Sequence, residues 1–249
     1  MKKFHALVLA LALGSSSFAQ KSTYFKAEAG FGRSTARSTA GNQRVGSWQP
    51  INASRFAVAA GVQVKKLSVE IGFGYGRTGG RSTDAMMRTS YANPAGAVTT
   101  IKATHRISHI TMPISMGYDF RAGKRWALQP RLGLEGAYTS AAKLEDVVVL
   151  NGNEGIPAPT GTRPLKPLSL HATGALQLHY RITPGIEIYG GPSYRRMLTN
   201  GASAPETLYT QPPYYKLRTS STTFDAGVKF RINGAKAAPA PVMPSVPQE

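Results

Sequence analysis

Apolar and polar residues alternate with a period of two along eight separate stretches of this sequence. In residues 67–75 every odd-numbered residue is Leu, Val, Ile, Phe or Tyr, and every even-numbered residue is Ser, Glu or Gly. Successive side chains of a β-strand point to opposite faces, so this period predicts strands with one apolar and one polar face. The eight predicted strands are residues 24–31, 54–64, 67–75, 105–118, 126–138, 168–182, 186–198 and 222–232.

The connections between these strands alternate in length. Residues 65–66, 119–125 and 183–185 are short enough for hairpin turns, which join antiparallel strands. The other four connections are long and rich in small and polar residues: 32–53, 76–104, 139–167 and 199–219. An even number of strands with all short turns at one end is typical of outer-membrane barrels. The pattern therefore predicts an all-β fold, an eight-stranded antiparallel up-and-down transmembrane β-barrel.

Both signs of charge share the polar face of the predicted strands. A buried charge is tolerated when it has a partner of opposite sign, so a narrow lumen explains acids and bases on one face. Glycines on the same face leave space for long charged side chains in an eight-stranded barrel. The predicted lumen charge network comprises Lys26, Glu28, Arg55, Glu70, Arg131, Glu135, Glu187, Asp225 and Lys229. The alternative is a soluble secreted lipocalin-like barrel that binds anions or lipids, in which the apolar face would point inward.

The two ends of the chain differ from its strand-rich part. Lys2 and Lys3 precede a short apolar segment, and Ser17 and Ala19 place small residues where signal peptidase cleaves. Residues 1–19 are therefore predicted to be a secretory signal peptide, residues 20–232 the outer-membrane barrel, and residues 233–249 an Ala- and Pro-rich periplasmic tail. The apolar segment is too short to cross a bilayer as a helix. The absence of cysteine excludes a disulfide framework.

The chain is strongly basic, with 30 Lys and Arg against 12 Asp and Glu. Cations at the predicted short turns are Lys65, Lys66, Arg121, Lys124 and Arg125; those in or beside the first two long connections are Arg33, Arg37, Arg44, Arg77, Arg81, Arg88 and Lys102. We expect the first group to face anionic headgroups and the second to meet phosphorylated lipid or other anions outside the cell. Outer-membrane lipids and lipopolysaccharide are therefore expected partners. No nucleic-acid partner is predicted, because no helix-turn-helix pattern or aromatic-studded basic strand face is present.

The sequence carries no motif for catalysis, metal binding or cofactor binding. No Ser lies in a Gly-x-Ser-x-Gly elbow, and the glycine spacing in residues 72–76 and 117–124 departs from that of nucleotide-binding loops. His109 and His171 share the polar face and could meet across the lumen, but a neutral imidazole both donates and accepts hydrogen bonds, which favours a structural role. We predict no enzyme activity, no metal and no cofactor.

Two stretches resemble known outer-membrane barrels. Asp225, Gly227, Phe230 and Ile232 are spaced like the β-signal read by the barrel assembly machinery. The run through residues 107–118, followed by a basic turn and residues 128–138, is similar to the fourth and fifth strands of the PorT-like outer-membrane β-barrel family, whose overall architecture is that of OmpA-type barrels. Membership implies a closed barrel in the outer membrane and implies no particular activity.

These expectations converge on an envelope protein without catalytic function. A lumen filled by Arg, Lys and Glu side chains should be closed or weakly conducting, because eight strands enclose little more than their own side chains. We therefore expect an integral outer-membrane protein with a structural or interaction role in the cell envelope. The barrel assembly machinery and an envelope protein are its further expected partners.

Overall fold

The alternating stretches form eight long β-strands in a computed structural model that describes residues 21–40, 43–45, 47–88, 98–151, 154–157, 166–199 and 215–232. The strands are β1 (Lys21–Ala40), β2 (Ile51–Val64), β3 (Leu67–Arg88), β4 (Val98–Tyr118), β5 (Trp126–Asn151), β6 (Leu168–Thr183), β7 (Ile186–Met197) and β8 (Tyr215–Ile232). Four shorter strands flank them: Gln43–Val45, Trp48–Gln49, Phe120–Ala122 and Glu154–Pro157. The predicted signal peptide and the predicted tail lie outside the described residues. The described part contains no helix long and apolar enough to span a membrane.

The eight strands close into a barrel. Each of β1 to β7 pairs antiparallel with the next long strand along the chain, and β8 pairs antiparallel with β1. In the closing pair, Phe25 lies opposite Phe230 and Gly30 lies opposite Asp225. Closure gives every long strand two neighbours, which removes the open sheet edges that an unclosed sheet would expose. The predicted eight-stranded antiparallel up-and-down barrel is confirmed.

The two faces of the barrel wall are chemically opposite. Large apolar side chains such as Val58, Ile71, Ile114 and Leu132 are exposed on the outside, and Leu132 retains 69% of its accessible surface. Polar and charged side chains of the other parity are buried inside. This arrangement is that of a membrane barrel, whose interior is polar, and the reverse of a lipocalin, whose apolar face points inward. We call the band of exposed apolar residues on the outer wall the apolar belt.

The strands extend well beyond the predicted segments on the side of the long connections. β1 continues to Ala40, β3 to Arg88 and β5 to Asn151, where loops were expected, and β4 and β8 begin earlier than predicted. The predicted loops 32–53, 76–104 and 139–167 are therefore wrong for much of their length, and the predicted loop 199–219 is wrong for residues 215–219, while its residues 200–214 lie outside the described part. The extensions are rich in Ser and Thr and pair with one another above the belt. Inside them Ala36, Ile107 and Leu217 form a small buried apolar cluster, against which Trp48 packs.

The short turns lie together at the opposite end of the barrel. Lys65 adopts a left-handed backbone conformation with φ of 55° in the two-residue turn between β2 and β3. Between β4 and β5, the predicted turn is shortened by the strand Phe120–Ala122, which pairs with the beginning of β5. Gly123, with φ of 74°, follows it and begins the remaining turn. Tight turns require such positive φ values, which glycine adopts without strain.

Candidate functional site

Six charged side chains form one continuous chain of ion pairs across the lumen. Lys26 lies between two carboxylates, with its Nζ 3.0 Å from Glu28 Oε2 and 2.9 Å from Glu70 Oε2. Arg55 extends the chain on one side, with Nη2 2.8 Å from Glu28 Oε1 and Nη1 3.2 Å from Asp225 Oδ2. Arg131 ends the chain of ion pairs on the other side with a bidentate contact to the Glu70 carboxylate. Three carboxylates and three cations alternate, so the formal charge of this central network is zero.

The central network ties together strands that are distant in sequence. Lys26 and Glu28 are on β1, Arg55 is on β2 and Glu70 is on β3. Asp225 on β8 and Arg131 on β5 are its two ends, so the network spans the lumen rather than following one hairpin. Removing charges from water costs several kcal/mol per ion, and only close pairs with additional hydrogen bonds offset that cost. Here each charge has a counterion within 3.2 Å.

Neutral side chains donate further hydrogen bonds to the carboxylates of the central network. Tyr24 donates its hydroxyl hydrogen to Glu70 Oε1 at 2.8 Å, and Tyr189 donates to Glu28 Oε2 at 3.1 Å. Thr223 donates to Asp225 Oδ1 at 2.7 Å. The sequence-based prediction of the network did not include these three residues, although each lies at an inward-facing position and carries a hydroxyl group that can donate to a carboxylate. Hydrogen bonds to an ionised acceptor are about twice as strong as neutral ones, so they add to the stability of the network.

A second group of charges lies near the short turns. Glu187 on β7 accepts from Arg181 Nε at 3.0 Å and from Arg231 Nη2 at 2.9 Å. His179 Nδ1 is 3.8 Å from the same carboxylate. Beside this group, Asp119 accepts from the side-chain amides of Gln63 and Gln129, each at 2.5 Å. The structure therefore separates Glu187 from the central network, in contrast to the predicted single lumen network.

Two further residues of the predicted network have their own partners. Glu135 pairs with Arg195 of β7, with Oε1 2.5 Å from Nη2. Lys229 is 1% exposed, and its Nζ lies 3.8 Å from the centre of the Tyr24 ring, a cation–π contact that compensates part of the cost of burial. Arg195 was missed in the sequence because β7 carries Gly190 and Pro192 at outward positions, which interrupts the apolar alternation.

The pair of lumen histidines is located on the side of the long hairpins. The rings of His109 and His171 approach to 5.8 Å between centroids, so the two side chains meet inside the lumen. His109 Nε2 is 2.9 Å from Thr78 Oγ1, and His171 Nε2 is 2.9 Å from Ser169 Oγ. Both rings are buried and hydrogen-bonded, which suits a structural role. Among the described residues no group of three His, Asp or Glu side chains has a geometry that could hold a metal ion.

The side chains of the central network leave little free space between them. The cavity lined by Lys26, Glu28, Arg55, Glu70 and Arg131 has a volume of about 40 Å³. One water molecule requires roughly 10–15 Å³ of such free space, so the cavity has room for only a few waters. The central network therefore fills the barrel at this level.

Small residues between the charges are necessary for this packing. A Cβ atom at Gly30 would overlap the Asp225 carboxylate and touch the Arg55 side chain at 3.0 Å. We predict that Gly30→Ala lowers the free energy of unfolding by about 1–3 kcal/mol, because an inserted methyl group forces buried neighbours apart. Urea titration of the folded protein in lipid vesicles measures this change. Gly136→Ala is the matched control, since no heavy atom lies within 4 Å of its Cβ position; equal stability of the two variants would contradict the prediction.

The residues that resemble the β-signal are divided between the two sides of β8. Asp225 is 1% exposed and belongs to the central network, whereas Phe230 and Ile232 are about half exposed on the apolar belt. A Cβ at Gly227 would overlap the backbone of Ala27, so a side chain there would push β1 away. The four residues therefore contribute to the lumen, to the belt and to the contact that closes the barrel.

Solved outer-membrane proteins share this fold. The outer membrane protease OmpT from Escherichia coli is 11% identical and aligns over 84% of this chain and 97% of its own, with a TM-score of 0.50. A major outer membrane protein from Thermus thermophilus (13% identical, 84% and 99% covered, TM-score 0.43) and Neisserial surface protein A (16% identical, 86% and 99% covered, TM-score 0.38) align less closely. The likeness to OmpT shows that the fold is an outer-membrane β-barrel fold. No family model matches the sequence, and no curated protein matches it.

Proposed function

We propose that the protein is an integral β-barrel of the Gram-negative outer membrane with a structural or interaction role in the envelope and a closed or weakly conducting lumen. The observation that carries this proposal is the combination of an apolar outer wall with a central network that has no net formal charge and leaves little free space at its level of the lumen. A soluble barrel would expose the apolar belt to water, at a cost of roughly 25 cal/mol per Å². The resemblance to the PorT-like family stays a prediction.

The dimensions of the apolar belt support a membrane location. On β3 the exposed apolar and aromatic residues run from Leu67 to Tyr75, about 27 Å along the strand at ~3.4 Å per residue. At a tilt of about 40° this length gives a band roughly 20 Å tall, close to the ~25 Å band of outer-membrane barrels. Tyr75, Tyr118, Trp126 and Tyr138 lie near the ends of the apolar segments and are exposed, as expected of interfacial aromatic girdles.

We further propose that the short turns face the periplasm and that the long hairpins face outward, following the usual topology of such barrels. The spacing of Asp225, Gly227, Phe230 and Ile232 supports recognition by the barrel assembly machinery. OmpT is described as a protease, but a shared fold does not transfer an activity. We therefore propose a non-enzymatic role for this protein, with an envelope protein as a partner.

Fractionation and conductance test the proposal together. We expect the full-length protein to sediment with outer membranes, to migrate differently on gels before and after heating, and to give planar-bilayer currents far below those of a general porin. The double variant Glu70→Ser/Arg131→Ser empties the lumen centre without changing its net charge, and its current should exceed that of the wild type. Porin-sized currents from the wild type would reject the closed lumen, and recovery in a soluble fraction would reject the membrane location.

A further inference from the structure

Two of the three short turns carry a cluster of exposed cations. Lys65 and Lys66 form the turn between β2 and β3, and the connection between β4 and β5 contributes Arg121, Lys124 and Arg125. We call these five residues the turn cluster. The third short turn, residues 183–185, carries no charge. All three connections are described throughout, so the positive charge of the short turns lies on one side of the barrel.

No carboxylate neutralises the turn cluster within the described part of the chain. None of its five side chains forms an ion pair there. The acid in these turns, Asp119, is 3% exposed and accepts from Gln63 and Gln129. Arg125 donates to the neutral hydroxyl of Tyr180. Neighbouring hairpins lie about 10 Å apart, close to the ~8 Å Debye length at physiological ionic strength, so the fields of the two turns add.

Hydrogen bonds hold the two turns in fixed positions. The backbone N–H of Asp119 donates to the carbonyl oxygen of Lys66 at 2.8 Å, which joins the second turn to the first. The N–H of Arg181 donates to the carbonyl oxygen of Arg125 at 2.9 Å, which joins the same turn to β6. A partner of the turn cluster therefore meets charges on an ordered backbone, and less conformational entropy is lost on binding than with a mobile loop.

A free strand edge lies beside the turn cluster. β3 begins at Leu67, opposite Tyr118 of β4, so the short strand Phe120–Ala122 projects beyond the end of β3. One edge of this short strand pairs with the beginning of β5, and no described strand pairs with the edge that faces the β2–β3 turn. The N–H and C=O groups of such an edge can pair with an added strand. The edge is three residues long, about 10 Å.

We propose that the turn cluster binds an extended acidic segment of a periplasmic protein. The carboxylates of the segment contact the cations of both turns, and its backbone adds as a short strand to the free edge of Phe120–Ala122. This inference rests on the proposed function, since it names the site for the envelope partner and requires the short turns to face the periplasm. Lipid headgroups surround a barrel on all sides and have no backbone to pair with a strand edge, so a one-sided cluster beside a free edge favours a polypeptide.

Binding of an acidic peptide to the full-length protein in phosphatidylcholine nanodiscs tests the role of the charges. The probe is a fluorescent peptide of alternating Glu and Thr, whose anisotropy rises on binding. We expect Lys65→Gln/Lys66→Gln/Arg121→Gln/Lys124→Gln to weaken binding on the order of 30-fold, because each exposed ion pair contributes about two- to threefold. Absence of binding by the wild type would overturn the proposal.

The matched control removes four exposed cations on the side of the long hairpins: Arg33→Gln/Arg37→Gln/Arg196→Gln/Arg218→Gln. Its net charge equals that of the turn variant, but the substituted residues lie at the other end of the barrel. Because salt screens charges that are many Debye lengths apart, it should bind the peptide within about threefold of the wild type. Equal losses in the two variants would mean that net charge attracts the peptide, which would also overturn the proposal.

The pairing with the strand edge is tested with a second peptide, in which Pro replaces every Thr. This peptide has the same length and charge, but proline has no N–H to donate to a strand ladder. We expect it to bind at least about fivefold more weakly, the effect of one or two lost hydrogen bonds. Equal binding of the two peptides would refute the strand addition.

Phosphatidylglycerol in the nanodiscs tests whether lipid occupies the turn cluster instead. Anionic headgroups repel the acidic peptide from every variant, so the informative quantity is the difference between the wild type and the turn variant. We expect the wild type to bind the Glu–Thr peptide more tightly than the turn variant in these nanodiscs as well. If both bind equally weakly there, headgroups cover the cluster and the proposal is wrong.

Failure of this site and failure of the proposed function give different results. If only the site is wrong, every variant still sediments with outer membranes and shifts on gels after heating, and peptide binding is absent or unaffected by the substitutions. If the proposed function is wrong, the wild type itself is absent from the outer-membrane fraction. The gel shift also shows that each variant is folded before its binding is compared.

Discussion

The Glu70→Gln variant is expected to lose about 3–5 kcal/mol of its free energy of unfolding, because breaking a buried ion pair from one side leaves an uncompensated charge. The Glu70 carboxylate is shared by Lys26 and Arg131 and also accepts the hydroxyl of Tyr24. After the substitution Lys26 retains Glu28, but the described partners that remain to Arg131 are the neutral Ser115 and Gln177. Urea titration of the folded barrel in lipid vesicles, with the heat-dependent gel shift as readout, measures the loss.

A second substitution distinguishes charge imbalance from damaged packing. In Glu70→Gln/Arg131→Met both members of the pair are neutral, and we expect most of the lost stability to return, because a buried pair replaced as a whole is often neutral in energy. Thr111→Val, an isosteric change of a buried residue on the lumen face of β4, should cost less than about 1.5 kcal/mol and serves as the control. If Glu70→Gln unfolds at the same urea concentration as Thr111→Val, the central network does not stabilise the barrel.

The sequence predicted the side of the wall for each charge but not its partner. Alternation places Glu28, Glu70 and Asp225 on one face, because parity is a local property of a strand, and the two signs of charge on that face indicate that it lines the lumen. The pairing of Asp225 with Arg55, and of Glu70 with Arg131, depends on the stagger between strands that are not adjacent, which no local pattern encodes. The separate pairing of Glu187 near the short turns has the same origin.

The ends of the strands could not be predicted for a different reason. Periodicity marks a strand only where one face contacts an apolar environment, as between Leu67 and Tyr75 on β3. Above the belt the outward side chains of β3, such as Arg77 and Arg81, are polar, so β3 continues to Arg88 without an apolar alternation to show it. On β7 the same signal is weakened within the belt, because Gly190 and Pro192 occupy outward positions, and Arg195 was missed.

The Ile114→Arg variant gives the largest expected effect on the outer wall. Ile114 lies near the middle of the apolar belt on β4, between Ile71 of β3 and Leu134 of β5, and is 51% exposed. An arginine at the bilayer midplane of an outer-membrane barrel costs about 2–4 kcal/mol. We therefore expect that much loss in the free energy of unfolding in vesicles, together with reduced recovery from outer membranes.

The same substitution separates a lipid-facing wall from a water-facing one, because an exposed residue of a soluble protein tolerates arginine within about 0.5 kcal/mol. Ser140→Arg is the matched control: Ser140 is exposed on β5 just beyond Tyr138, where the belt ends, and a charge near the interface should cost at most about 1 kcal/mol. A full loss for Ile114→Arg with little loss for Ser140→Arg would place acyl chains against the belt. Equal, small effects at both positions would mean that water contacts the outer wall, and the membrane location would have to be abandoned.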